Sequence, residues 1–128
     1  MTQIEIKRNG AVLTATITIT PDGFIDPVTE DELGTLLDQV DSDDGVRAVV
    51  FTGGMPDVLI RHYDVGVLSA MAERMAGREM RFETTRSVPE SPYHVCLRRI
   101  TGSPVAFIAA INEALMGGDF ELALACDI

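Results

Sequence analysis

Residues 104–111 read Pro104-Val105-Ala106-Phe107-Ile108-Ala109-Ala110-Ile111, an uncharged apolar run, and a glycine pair, Gly117-Gly118, soon follows it. Bounded by the turn residues Thr101-Gly102-Ser103, the run has the length and content of a buried strand, and the glycines open a helix over Asp119 to Ala125. The same order occurs earlier in the chain. Val46 to Phe51 (VRAVVF) is a β-branched run of the kind buried on both faces of a parallel sheet, and it ends in Thr52-Gly53-Gly54. After Val58 to Tyr63, helical spacing resumes through Val67, Leu68, Met71 and Met75. Strand, glycine-bearing loop and helix therefore appear twice.

Towards the N-terminus, Ile4 and Ile6 alternate with polar neighbours, Asn9-Gly10 is a hairpin turn signal, and Val12 to Thr20 (VLTATITIT) alternates with a period of two. A β-hairpin is expected, closed off by Pro21-Asp22-Gly23. Thr29 and Glu32 form a capping-box pattern ahead of Leu33, Leu36, Leu37 and Val40, an apolar stripe at helical spacing. The first fifty residues thus read β-β-α-β. Between the two repeats, residues 78–92 are polar and charged, the pattern of a mobile connecting loop and not of a second domain. Ser91-Pro92 then starts a helix over Tyr93 to Ile100.

The 128 residues are enough for one core and too few for two ordinary domains, so residues 1–128 are read as one unit or part of one. Twenty acidic against ten basic side chains give a net charge of −10, which repels nucleic acid and anionic membrane surfaces. Neither is an expected partner. Nine of the ten basic residues are arginine, seven of them after residue 60, which leaves room for a small local anion site. Cys96 and Cys126 lack metal spacing and a disulfide framework, and with no apolar leader and no run near the ~20 residues of a bilayer span, a cytoplasmic protein is expected.

The chemistry is expected where each buried strand delivers a loop to a helix N-terminus. Backbone amides there, aided by the helix dipole, stabilise negative charge, and two such loops can form an oxyanion hole for a thioester carbonyl becoming an enolate. Glu121, three residues after Gly118, falls on the face of the first-turn amides, where a carboxylate can act as general acid or base. An acidic residue in a first helical turn also has an ordinary reading, complementarity to the dipole, just as Gly117 and Gly118 have one in close packing.

The stretch Ser103-Pro104-Val105-Ala106-Phe107-Ile108-Ala109-Ala110-Ile111-Asn112, then Gly117-Gly118, then Glu121-Leu122-Ala123-Leu124-Ala125-Cys126-Asp127, resembles the signature of the crotonase (enoyl-CoA hydratase/isomerase) family. Val46 to Gly54 resembles the strand and loop before that family's first oxyanion donor. The resemblance implies a crotonase-like α/β spiral of ββα repeats, a homotrimer or dimer of trimers, and acyl-CoA thioester substrates, with coenzyme A entering only as part of the substrate and no metal. It places the two oxyanion amides at Tyr63 and Gly118, proton transfer at Glu121, and substrate contacts at Arg61, His62, Asp64 and Gly117.

This chain departs from the family pattern in places. The first loop reads Leu59-Ile60-Arg61-His62-Tyr63-Asp64, with His62 where a glycine is common, and Asp119 replaces a third glycine, setting a second carboxylate near Glu121. Val65-Gly66-Val67 carries no basic residue for CoA phosphates, which leaves Arg61 as the substitute, unless it is simply a solvated loop charge. The family continues past the position of Ile128 through repeats that supply a second glutamate, so the chain is expected to be the N-terminal part of a longer protein or a truncated product that needs partners. His62 can be a proton-transfer group or an exposed loop histidine; His94 is expected to be packed or solvated, Arg98-Arg99 a solvated helix end. The methionines Met55, Met71, Met75, Met80 and Met116 read as gap-filling or pocket-lining. Two functions follow: an enoyl-CoA hydratase or isomerase, and a catalytically incomplete acyl-CoA-binding or assembly module of the same fold. Dinucleotide binding is disfavoured because no GxGxxG follows either buried strand.

Overall fold

The computed structural model describes residues 1–78, 85, 87, 89–111, 115 and 117–128. The segment 78–92, expected to be a mobile connection, lies largely outside the described residues, as do Met80, Asn112 and Met116. The hairpin forms from β1 (Ile4–Asn9) and β2 (Val12–Ile17). Asn9 pairs with Val12, so the two loop residues are Gly10 and Ala11 and not Asn9-Gly10. Only Gly10 has positive φ (+59°), as a type II′ turn requires of its first central residue.

Helix α1 (Pro27–Ser42) has its N-cap three residues before the expected one, Thr29. Asp26 is the N-cap: its Oδ1 accepts the Thr29 N–H at 2.9 Å, and Thr29 Oγ1 accepts the Asp26 N–H at 3.3 Å. Pro27 fixes a helical φ immediately after that aspartate, which is why this cap wins over Thr29. Glu32 is drawn elsewhere, its Oε2 accepting the backbone N–H groups of Gln3 (2.8 Å) and Ile4 (2.7 Å). Leu33, Leu36, Leu37 and Val40 are buried as the stripe predicts.

After α1 come β3 (Ala48–Gly53), α2 (Val65–Met75), α3 (Pro92–Thr101), β4 (Ala106–Ala110) and α4 (Gly118–Ala125). The sheet order is β1-β2-β3-β4, with the hairpin antiparallel and both later pairings parallel. Register aligns Leu13 with Val49 and Phe107, three fully buried side chains on one face. Phe51 and Phe107 rings stack there with centroids 5.9 Å apart. That face forms one core with Leu33, Leu36, Leu37 and Val40 of α1, Tyr93, Cys96 and Ile100 of α3, and Leu122 of α4. Thr14, Thr16, Val50 and Ile108 on the opposite face are only half-buried. The VRAVVF strand is therefore buried on one face, not two, because the core helices contribute to a single side of the sheet. Beyond α4, Asp127 N–H donates to Phe107 C=O and Asp127 Oδ2 accepts the Phe107 N–H, so the chain returns alongside β4.

Candidate active site

The first loop leaves β3 at Gly53 and folds back at once. A Cβ on Gly53 would lie 2.3 Å from Val58 C=O, so the return needs a residue without a side chain. Leu59 and Ile60 then bury, and residues 61–64 run alongside 23–25. Arg61 N–H donates to Gly23 C=O (2.7 Å), Ile25 N–H to His62 C=O (3.1 Å) and Asp64 N–H to Ile25 C=O (2.8 Å). In extended pairing successive amides alternate sides, so the Tyr63 N–H, between these bonds, points away from Ile25.

The second loop reaches the first through its glycines. Gly117, at φ +75°, caps α4, and a Cβ there would meet His62 Cβ at 2.8 Å. A Cβ on Gly118 would meet Ile25 Cδ1 at 2.2 Å and Arg61 C=O at 3.2 Å. Close packing is thus what these glycines do, against the first loop and Ile25. The same approach places Gly118 N–H, the first amide of α4 and without an acceptor inside the helix, beside the loop that carries Tyr63 N–H.

His62, Tyr63, Gly117, Gly118 and Glu121 line a single cavity of about 900 Å³, walled on one side by Val65, Leu68 and Met71 of α2 and on another by Ile25 and Pro27. That volume and largely apolar wall suit a small-molecule ligand. Glu121 is half-exposed, with its Oε2 3.9 Å from His94 Nε2. Asp119, expected beside it, is buried, and its Oδ1 accepts the Phe120 N–H at 2.7 Å. His62 stacks on Phe24 (4.6 Å) and its Nδ1 lies 2.8 Å from Tyr63 C=O. Arg61 and Asp64 stand outside the lining: Arg61 is exposed, and Asp64 Oδ1 caps α2 by accepting the Gly66 (2.7 Å) and Val67 (3.2 Å) amides. Met71 lines the cavity as expected, whereas Met75 stays exposed outside it.

Glu30 and Tyr93 are among the lining residues that escaped the sequence reading. Glu30 is 7% exposed and its Oε1 accepts the Tyr93 N–H at 3.2 Å, with Tyr63 lining the same cavity. Burial raises its pKa above the ordinary carboxylate value, against the opposing pull of Tyr63 and the Tyr93 N–H. Burial, and then the Glu30 charge, push Tyr63 up to about 12. The Tyr93 hydroxyl donates to Gly118 C=O at 2.5 Å. A signal for Glu30 did exist, because residues 30, 33, 37 and 40 share one helical face and a carboxylate on an otherwise apolar stripe needs a partner. Among the described residues no His/Cys/Asp/Glu cluster could hold a metal ion, and no helix is long and apolar enough to cross a membrane.

Comparison with known proteins places this geometry. The chain is 30% identical over 98 residues to the fatty acid oxidation complex subunit alpha of Idiomarina loihiensis, a match covering 77% of this chain and 13% of that protein. It is 28% identical over 128 residues to a probable enoyl-CoA hydratase of Bacillus subtilis, covering 100% of this chain and 46% of that protein. The chain thus spans less than half the length of these relatives. Among solved structures, Pseudomonas aeruginosa DspI superposes with a TM-score of 0.78 at 26% identity, over 100% of this chain and 45% of that one. An enoyl-CoA hydratase from Bacillus anthracis superposes at 0.75 with 24% identity, over 98% of this chain and 46% of that one, which is a likeness of fold. The family model described as enoyl-CoA hydratase/isomerase matches residues 9–128. With the crotonase-like fold and both loop motifs inside that match, the chain belongs to the enoyl-CoA hydratase/isomerase family.

Proposed function

We propose that the protein acts on acyl-CoA thioesters as an enoyl-CoA hydratase or isomerase. The backbone N–H groups of Tyr63 and Gly118 receive the thioester oxygen as it gains enolate charge, and Glu121 moves the proton. The observation that carries this reading is the direct packing of the 61–63 loop against Gly117-Gly118 at a cavity that also holds Glu121. One oxyanion donor is worth about 10²–10³ in kcat. Backbone donors give this without adding a charged group, which suits a wall built from Ile25, Val65, Leu68 and Met71.

The fatty acid oxidation named for the Idiomarina relative supports fatty acyl thioesters as the substrate class. Assembly into a homotrimer or a dimer of trimers belongs to the same reading, as the family resemblance implies. A cytoplasmic setting, where thiols stay reduced, agrees with the free cysteines Cys96 and Cys126.

Turnover of crotonyl-CoA by the full-length protein tests the assignment. Glu121→Gln keeps the shape and removes the proton-transfer group, so kcat is expected to fall about 10²–10⁴-fold with little change in KM. Unchanged kcat removes Glu121 from the reaction. Binding of CoA thioesters by the wild type without any turnover replaces the enzyme by a binding module of the same fold.

A further inference from the structure

Glu30 is an expensive residue where it sits. A carboxylate buried on the apolar face of α1 loses hydration, and among the described residues no basic side chain forms an ion pair with it. An apolar side chain of similar size would pack there at lower cost. What the carboxylate provides is a buried acceptor for a second element: Tyr93, at the start of α3, donates its backbone N–H to Glu30 Oε1 at 3.2 Å. Tyr93 then spans the rest of the distance, its hydroxyl reaching Gly118 C=O on the second loop.

We propose that Glu30, together with Tyr93, is a positioning residue that sets the placement of the second amide-bearing loop, at Gly118, against the first. The inference rests on the reading of Tyr63 and Gly118 as oxyanion donors. The two anchors belong to rigid elements: α1 is fixed by Leu33, Leu36 and Leu37 and α3 by Cys96 and Ile100, all in the common core. The run from the Glu30 carboxylate to Tyr93 N–H, and from the Tyr93 hydroxyl to Gly118 C=O, therefore ties the second loop to that scaffold. Held this way, the donors keep their spacing while the substrate changes from trigonal carbonyl to enolate, which is when preorganisation matters. Glu30 acts through Tyr93 and the second loop, and proton transfer stays with Glu121.

Three variants of the full-length protein test this, assayed with crotonyl-CoA and by amide hydrogen exchange. Tyr93→Phe deletes one hydroxyl and Glu30→Leu deletes the acceptor. Each is expected to lower kcat about 10–100-fold with KM within about threefold, and to speed exchange in residues 118–119 by tenfold or more, leaving Leu13 and Val49 unchanged. Glu30→Gln retains an acceptor oxygen and recovers at least tenfold of the kcat lost in Glu30→Leu. A second loop that exchanges at wild-type rates in both Tyr93→Phe and Glu30→Leu overturns the proposal. So does a Glu30→Gln enzyme as impaired as Glu30→Leu, which would assign the charge itself to the reaction. If the wild type neither binds nor converts crotonyl-CoA, the oxyanion reading fails, and the exchange rates alone decide whether Glu30 and Tyr93 hold the second loop.

Discussion

The two loops of the site are held by opposite means. Residues 61–64 are pinned by main-chain hydrogen bonds to Gly23 and Ile25, so their side chains are free to be large, and His62 and Tyr63 stand where smaller residues would also fit. Residues 117–118 are held by what they lack: His62, Ile25 and Arg61 C=O occupy the space that side chains would need. A backbone donor can thus be presented by pairing or by close approach. Pairing tolerates substitution, and close approach does not.

The sharpest way to break that contrast is at the root of the first loop. Gly53→Ala sets a methyl group 2.3 Å from Val58 C=O and 3.0 Å from Leu59 Cα, backbone atoms that no rotamer change can move. A loss of about 3 kcal/mol in denaturant unfolding is expected. A loss under 1 kcal/mol would mean that pairing to 23–25 lets the whole loop shift. Next in size are Gly117→Ala, strained at φ +75°, and Gly118→Ala, whose nearest obstacle is the movable tip of Ile25. Each should cost about 1–2 kcal/mol, whereas Arg61→Ala on the paired loop should stay within about 0.5 kcal/mol. Equal costs for the glycine and arginine variants would erase the distinction.

The smallest effect is a pH dependence. The folded-state pKa of Glu30 lies above its unfolded value, so its contribution to stability is fully present below the unfolded pKa and is lost as pH rises through the folded one. Glu30→Gln removes that loss. The melting temperature of Glu30→Gln relative to wild type should therefore climb between acid and neutral pH, and a difference that stays flat or falls would show that the carboxylate is not held against ionisation. Asp26, four residues earlier, behaves oppositely: burial disfavours its charge, but the Thr29 amide, Gln3 and the Thr29 hydroxyl outweigh it and lower its pKa. Its contribution is present above the unfolded pKa and disappears as pH falls through the folded one.

Much of this was legible in the sequence because it depends on period and punctuation. The β-β-α-β opening, Ser91 ahead of α3, and Gly117-Gly118 ahead of α4 all stand where spacing put them. Burial was less legible. The α1 stripe and the α2 stripe have the same helical spacing, yet Leu36 is fully buried and Leu68, Met71 and Met75 are more than 40% exposed. Periodicity identifies a helical face and not what covers it. The Tyr93 hydroxyl on Gly118 C=O joins residues 25 apart through the third dimension, and no local pattern encodes such a bond. The start of α1 was misread for a different reason, since two overlapping cap signals compete there and the proline decides between them.

Glu32 shows what the losing cap signal is used for. Strand β1 lies at the border of the sheet, where unpaired amides invite another strand to add on. By accepting the N–H groups of Gln3 and Ile4, a helix carboxylate occupies the beginning of that border and closes it to intruding chains. The helix thereby takes up two amides that a further strand would otherwise pair with.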